Sequence, residues 1–206
     1  LEEILEEFQN PVFICDSNTR TAAEPFLEEE FKDYPVIELN PEGLQADNRG
    51  VNKVMKQLDY CDRGLSSVSV DVLVAIGGGT IHDLTRYAAT EYDIPFVSIP
   101  TAASVDGYAA NVAALTGMAE RTVAGVSPRW ILADTDIFSA APSRLTASGV
   151  SDFLGSIYPF LTGRSHISLP VSTSVRKYAI CWKRHCAMSA VYWKISVLET
   201  KMPSKS

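Results

Sequence analysis

Three consecutive glycines, Gly77, Gly78 and Gly79, follow the most strand-like segment of the chain, residues 70–76, and precede a helical segment that extends to about Thr90. Glycine lets a backbone approach a phosphate closely, and the N-terminus of a following helix attracts an anion through its free N–H groups. The spacing is neither GxGxxG nor a P-loop, because no Lys-Ser/Thr pair follows. The glycines alone therefore fit a phosphate-binding turn and a tight strand-to-helix turn without a ligand.

Two isolated aspartates also stand where a ligand could need them. Asp16 ends the apolar run 11–15, where a carboxylate can accept hydrogen bonds from a ribose diol. A helix N-cap is the alternative for this residue. Asp152 lies inside the apolar helical segment 147–155, and a metal ligand facing a cleft would explain it. A capping aspartate, or one satisfied within the core, would explain Asp152 too.

The segment 98–108 is rich in small and hydroxyl-bearing residues and follows another apolar run. In α/β sheets, ligands bind beyond the carboxyl ends of the strands. These small residues and hydroxyl groups would suit a nicotinamide ribose or a phosphate, and Asp106 could position a substrate hydroxyl or shuttle its proton. The alternative is a polar loop with an Asx turn at Asp106 and Gly107.

The elements that would hold these residues alternate between strand and helix. Because the central strands are almost wholly apolar, we predict an α/β fold, a doubly wound parallel sheet that is Rossmann-like and covered on both faces. Strands are predicted at 11–15, 35–39, 70–76, 95–99 and 130–133, with helices at 1–8, 17–31, 51–58, 80–90 and 142–155.

Composition indicates a globular protein without a membrane span. The chain is 46% hydrophobic and 21% charged, and no segment approaches eighteen uncharged apolar residues. The four cysteines form no CxxC pair, which argues against a disulfide framework and favours a cytoplasmic location. The acidic N-terminus does not suit a signal peptide.

Charge is divided unevenly along the chain. Residues 1–155 contain 24 acidic and 10 basic residues, a net charge of −14, whereas residues 156–206 contain one acidic and eight basic residues, a net charge of +7. A basic tail can bind nucleic acid or membrane. Nucleic-acid binding needs arginines and aromatic residues on an ordered surface, and only short clusters at 176–178 and 182–184 hint at it. We therefore expect neither a nucleic-acid nor a membrane partner.

Taken together and in order, the motifs resemble the iron-dependent alcohol dehydrogenase and dehydroquinate synthase-like superfamily. They look most like its glycerol-1-phosphate dehydrogenase branch, which includes the bacterial AraM-type enzymes. The resemblance covers about residues 8–155, and the Pro-Thr-Ala-Ala-Ser-x-Asp-Gly block at 100–107 is its most specific part. The other matching segments are residues 16–19, 76–83, 133–134 and 149–155.

The resemblance implies reduction of dihydroxyacetone phosphate to sn-glycerol 1-phosphate with NAD or NADP as the coenzyme. It also implies a divalent metal, zinc or nickel, that polarises the carbonyl. Glycerol dehydrogenase, 3-dehydroquinate synthase and a catalytically inactive nucleotide-binding module are the alternatives. The carried-over positions are Gly77, Gly78, Gly79 and Asp83 at the pyrophosphate, Asp16 near the adenosine ribose, Thr101 and Ser104 along the cofactor, Asp106 at the substrate and Asp152 as the first metal ligand.

The family pattern ends at Gly155. Relatives complete the metal site with two histidines from a following helical domain, whereas His166 and His185 lie in a tail that matches nothing there. We predict a nucleotide-binding domain at 1–141, the first helix of the truncated helical domain at 142–155, and an anomalous basic tail at 156–206. The tail is either genuinely divergent or frameshifted, since a one-base shift with suitable synonymous codons gives a family-like peptide.

A frameshifted tail would be disordered or poorly packed, and this chain could then be inactive although its parent is an enzyme. The substrate implied by the resemblance is a small phosphate ester. Relatives are commonly dimers or larger, so a homo-oligomer is expected for the full-length parent. Asp16 favours NAD over NADP, because a carboxylate repels a 2′-phosphate.

Overall fold

Helices and strands alternate along the part of the chain that the computed structural model describes, which is residues 1–64, 69–117 and 122–162. These residues belong to one compact unit, Leu1–Leu161, apart from the last of them. The helices are α1 (Glu2–Leu5), α2 (Ser17–Asp33), α3 (Asn48–Gly64), α4 (Gly79–Tyr92), α5 (Thr135–Ala140) and α6 (Ser143–Thr162). The strands are β1 (Pro11–Asp16), β2 (Val36–Leu39), β3 (Val72–Gly77), β4 (Phe96–Pro100), β5 (Val112–Ala114), β6 (Thr122–Ala124) and β7 (Trp130–Ile131).

Five of these strands form one sheet in the order β2-β1-β3-β4-β7, and every pairing in it is parallel. The chain leaves β1 towards β2 on one side and returns to β3 on the other. The strand order therefore reverses between β1 and β3, and in open α/β sheets this reversal opens a crevice at the carboxyl ends of the two strands.

Helices cover both faces of the sheet, because successive strand residues point to opposite sides. In β1, Val12 and Ile14 join a core with α3 and α4, whereas Phe13 and Cys15 join a second core with α1 and α2. All six residues of β3 are buried. The predicted doubly wound α/β fold is thus confirmed.

Some elements differ from the predictions. The hairpin of β5 and β6 was not predicted, because three-residue strands are too short to show a period. Helix α6 extends to Thr162, beyond the predicted end at Gly155. The predicted domain boundary after residue 141 falls between α5 and α6 and stays a prediction. The predicted basic tail, with its expected disorder, lies outside the described residues from residue 163 onward.

None of the helices in the described ranges is long and apolar enough to cross a membrane.

Candidate functional site

The candidate site lies at the carboxyl ends of the central strands. Asp16 ends β1 and Gly77 ends the adjacent strand β3, so they border the crevice where the strand order reverses. Thr101 follows β4, and its backbone N–H donates to the carbonyl oxygen of Gly77 at 3.1 Å. The sheet therefore brings the predicted glycine turn, the predicted loop after β4 and Asp16 to one edge.

The three glycines of the turn differ in what an added Cβ would meet. A Cβ on Gly77 would come within 2.8 Å of the Ile81 side chain, so packing explains that residue. A Cβ on Gly78 would have only Ser104 Oγ near it, at 4.0 Å, and one on Gly79 would lie 3.4 Å from Val105. Neither glycine has a positive φ. Neither packing nor backbone conformation therefore requires glycine at 78 and 79, since a Cβ at either position would make at most ordinary van der Waals contact.

The N-terminus of α4 begins at these two glycines. Gly78 is its N-cap residue, and no side chain caps the helix there. The first N–H groups of an uncapped helix need an acceptor, and the dipole favours a negative one. The helix has 14 residues, so its peptide dipoles add up along several turns. Its N-terminus therefore offers an anion both free N–H groups and the positive end of the dipole.

A buried histidine holds the glycine turn in place. His82 Nδ1 lies 2.9 Å from the carbonyl oxygen of Gly78, and Nε2 lies 2.8 Å from Ser98 Oγ. A carbonyl only accepts, so Nδ1 carries the proton and Nε2 accepts from the serine hydroxyl. Burial lowers the pKa of His82 to about 4, and the charge of Arg86 adds to this effect. The ring is therefore neutral at physiological pH and ties the turn to β4.

The loop after β4 folds back onto the same histidine. The Tyr108 ring stands edge-on to His82, with centroids 4.7 Å apart. Its hydroxyl donates to the carbonyl oxygen of Ala102 at 2.7 Å and lies 3.0 Å from Ser104 Oγ. Burial raises the pKa of Tyr108, so the phenol stays protonated. These contacts set the positions of Ser104 and of the residues between it and Tyr108.

Arg86 is the largest fully buried side chain of the described residues, with 1% exposure. Its Nη1 donates to Asp83 Oδ1 at 2.8 Å and to the Val112 carbonyl at 3.0 Å, and its Nη2 donates to the carbonyls of Gly107 and Tyr108. Burial raises the pKa of Asp83, and the Arg86 charge opposes that shift. This guanidinium joins α4 to the loop that carries Asp106.

Asp106 and Asp152 lie side by side, although 46 residues separate them. Asp152 Oδ2 accepts a hydrogen bond from the backbone N–H of Asp106 at 2.9 Å. Both border a cleft of ≈ 320 Å³, together with Gly79, Asp83 and Tyr108. The structure thus brings the predicted substrate residue, the predicted metal ligand and the helix N-terminus to one cleft.

Asp16 acts as the N-cap of α2. Its Oδ1 accepts from the backbone N–H groups of Asn18 and Thr19, each at 2.9 Å, and the Thr19 side chain closes a capping box with the Asp16 backbone. The alternative interpretation of Asp16 as a cap is therefore confirmed. A role at the adenosine ribose is compatible with it and stays a prediction.

The described residues do not form a complete metal site. No group of three or more His, Cys, Asp or Glu that could hold a metal exists among them. The Asp152 carboxylate suits a divalent cation, but such ions take three or more protein ligands in a tight site. A metal held at Asp152 would need further donors from outside the described residues.

Three positioning residues were missed by the sequence analysis, namely His82, Arg86 and Gly149. His82 and Arg86 follow the glycine turn in a helix that is buried on several sides. Polar and charged residues are rarely buried without a partner, so their presence in such a helix could have indicated a positioning role. Gly149 lies within α6 against the loop after β4, where an added Cβ would overlap the carbonyl oxygen of Ala103. A glycine inside an apolar helix indicates such a close approach.

Residues 4–142 match the family model described as iron-containing alcohol dehydrogenase. The chain belongs to the iron-containing alcohol dehydrogenase family. A curated relative from Bacillus subtilis (strain 168), glycerol-1-phosphate dehydrogenase [NAD(P)+], is 36% identical over 157 residues, which are 72% of this chain and 38% of the relative. The chain therefore spans less than half the length of this relative.

Two solved structures have the same fold. Glycerol dehydrogenase from Schizosaccharomyces pombe matches with a TM-score of 0.59 and 22% identity, over 74% of this chain and 38% of that one. A 2-deoxy-scyllo-inosose synthase complexed with carbaglucose-6-phosphate, NAD+ and Co2+ matches with a TM-score of 0.54 and 23% identity, over 72% and 44%. The resemblance to the iron-containing alcohol dehydrogenase family expected from the motifs is thus confirmed.

Proposed function

We propose that this chain is the coenzyme-binding part of an NAD(P)-dependent oxidoreductase that interconverts dihydroxyacetone phosphate and sn-glycerol 1-phosphate. Family membership and the name of the Bacillus subtilis relative support the reaction and the coenzyme. The acidic net charge of residues 1–155 opposes nucleic acid and anionic membrane as partners. The proposal includes a cytoplasmic location and a homo-oligomeric full-length parent.

The lack of any packing or conformational need for glycine at 78 and 79 is the observation that carries the proposal. Glycine is unexplained at these two positions unless something must approach the backbone there. The uncapped N-terminus of α4 faces the same place, so a pyrophosphate would receive N–H hydrogen bonds and the helix dipole. Gly77 would support this site by letting the turn pack on Ile81.

The other predicted residues take roles around this pyrophosphate site. In the proposal Thr101 and Ser104 line the path of the nicotinamide half, and Asp16 lies beside the adenosine ribose. Asp83 lies at the pyrophosphate end of α4 and holds Arg86, which fixes the loop after β4. Coenzyme and substrate would then meet in the cleft that Asp106 and Asp152 border.

A bound dihydronicotinamide would supply a hydride to the carbonyl carbon of dihydroxyacetone phosphate, and the carbonyl oxygen would take up a proton. In the proposal Asp106 positions that hydroxyl or relays its proton. A divalent metal of the kind the family name implies would polarise the carbonyl. Asp152 is the proposed first ligand, but the described residues supply no complete set, so no step is derived through the metal.

Titration of the 206-residue chain with NADH, followed by the fluorescence of the bound nicotinamide, tests the coenzyme site. We expect saturable binding that Gly78→Ala and Gly79→Ala each weaken about tenfold or more, because a methyl group would hold the phosphate away from the N–H groups. Gly155→Ala is the matched control, since it lies in α6 with no atom within 4 Å of its Cβ position. Failure of the native chain to bind NADH or NADPH, or native affinity in both turn variants, would contradict the proposal.

Coenzyme binding without turnover is the second candidate for this chain. It is favoured by the finding that no three His, Cys, Asp or Glu side chains of the described residues come together in a group that could hold a metal. Assays of dihydroxyacetone phosphate reduction by NADH, with and without zinc or nickel, separate the two functions. Metal-dependent turnover would exclude the second candidate, and NADH binding without turnover would support it.

A further inference from the structure

We propose that Glu38, through its ion pair with Arg20, makes the adenosine end of the coenzyme site select NADH over NADPH. This inference rests on the proposed function, because it assigns the coenzyme preference of the same site. Family membership leaves the preference open, since the name of the Bacillus subtilis relative, glycerol-1-phosphate dehydrogenase [NAD(P)+], includes both coenzymes.

A second cleft, of ≈ 440 Å³, lies at the carboxyl ends of β1 and β2. Ser17, the first residue after Asp16, lines it on one side, and Glu38, Leu39, Asn40 and Pro41 line it on the other. In the sheet, β1 lies between β3 and β2. A dinucleotide whose pyrophosphate rests on the turn after β3 would extend its adenosine ribose across the end of β1, towards this cleft.

The charged groups at this cleft are arranged as an ion pair with one carboxylate in excess. Arg20 Nη1 donates to Glu38 Oε2 at 2.7 Å, and both side chains are about one-third exposed. The Arg20 guanidinium also lies over the Phe31 ring, 5.3 Å from its centroid, which fixes its position. Glu38 pairs in register with Cys15, the neighbour of Asp16. Two carboxylates, those of Asp16 and Glu38, thus lie near the ends of neighbouring strands, and only that of Glu38 is paired with the guanidinium.

The buried thiol of Cys15 responds to the charges of Glu38, Arg20 and Asp16. The pKa of Cys15 rises to about 12, mainly through burial, and Glu38 and Asp16 raise it while Arg20 lowers it. All three charged groups therefore act on one point at the end of β1. This agrees with the geometric evidence for a net negative potential at this corner of the sheet.

Such an arrangement favours a ribose diol over a 2′-phosphate. A 2′-hydroxyl can donate to a carboxylate, whereas a 2′-phosphate adds negative charge beside Glu38 and Asp16. Arg20 has the fork geometry that binds phosphate, but its Nη1 is held by Glu38. Glu38→Gln removes the carboxylate charge and keeps the size of the side chain. The Arg20 guanidinium would then be available to a phosphate.

Equilibrium titrations of the 206-residue chain with NADH and with NADPH test the inference. We expect the native chain to bind NADH more tightly, and Glu38→Gln to improve the affinity for NADPH relative to NADH by about tenfold, the effect of one charge-assisted hydrogen bond. The double variant Arg20→Gln/Glu38→Gln should lose this gain. Glu28→Gln is the matched control, because Glu28 forms an ion pair with Lys32 on the same helix, away from the cleft.

The outcomes separate this inference from the function on which it rests. An unchanged NADPH-to-NADH affinity ratio in Glu38→Gln, with both coenzymes still bound, would overturn the selectivity and leave the proposed function intact. An equal shift in Glu28→Gln would also overturn it, because the effect would then come from net charge alone. Absence of binding of either coenzyme to the native chain would instead overturn the proposed function, and the inference with it.

Discussion

The Asp152 carboxylate accepts a hydrogen bond from the backbone N–H of Asp106 at 2.9 Å, so α6 is joined directly to the loop after β4. The contact depends on the close approach of α6 to that loop at Gly149, where the backbone of Ala103 and Ser104 leaves no room for a Cβ. Because Gly149 has no Cβ, α6 can approach the loop closely enough to place Asp106 and Asp152 next to one another.

Gly149→Ala should destabilise the protein, because its methyl group would overlap the Ala103 carbonyl and push α6 from the loop. We expect the free energy of unfolding to fall by about 1–3 kcal/mol, as for an overpacked core. Urea denaturation measures this change. Gly155→Ala, in the same helix with open space around the Cβ position, should be neutral or stabilising by about 0.5–1 kcal/mol. Equal unfolding midpoints for Gly149→Ala and the native chain would contradict the packing argument.

Replacement of Arg86 by Met should have a larger effect. It would leave the partly buried Asp83 carboxylate without its ion pair and the carbonyls of Val112, Gly107 and Tyr108 without this donor. We expect a loss of about 3–5 kcal/mol in the free energy of unfolding. The double variant Asp83→Asn/Arg86→Met should recover part of it, because the unpaired charge is gone. A double variant that loses as much stability as Asp83→Asn and Arg86→Met lose together would show that the pair is not coupled.

The sequence predicted the sheet, and the residues that gather at its carboxyl edge, far better than it predicted the contacts that hold those residues in place. Apolar runs and glycines are local signals, so β1 to β4 and the turn after β3 could be predicted without tertiary information. Arg86 and Gly149 act through contacts 21 to 46 residues away along the chain, between elements whose docking no local pattern specifies. Likewise β5 and β6 are strands only because they pair with each other.

Two substitutions at Asp16 separate its capping role from its predicted role at the ribose. Asp16→Ala should lower the free energy of unfolding by about 1 kcal/mol, because α2 loses its N-cap, whereas Asp16→Asn retains a good cap and should change it little. If the carboxylate also accepts hydrogen bonds from the ribose, Asp16→Asn should weaken NADH binding without loss of stability. Native NADH affinity in Asp16→Asn would restrict Asp16 to the cap.

The buried histidine of the glycine turn predicts a pH dependence of stability. The pKa of His82 is about 4 in the folded protein and 6.5 when the ring is free. As the pH falls below 6.5, His82 becomes protonated in the unfolded chain but stays neutral in the folded one. The free energy of unfolding therefore decreases. The stabilisation is complete above pH 6.5, and about 2 kcal/mol of it should be lost between pH 7 and pH 5.

Comparison with His82→Gln isolates this contribution, because glutamine does not titrate and the chain's other two histidines are present in both proteins. The difference in unfolding free energy between the native chain and His82→Gln, measured with urea at pH 7, 6 and 5, should shrink steadily with acidification. A difference that is constant across this range would show that His82 is protonated as readily in the folded state as in water. The ring would then not be the neutral link, from Gly78 to Ser98, that holds the turn.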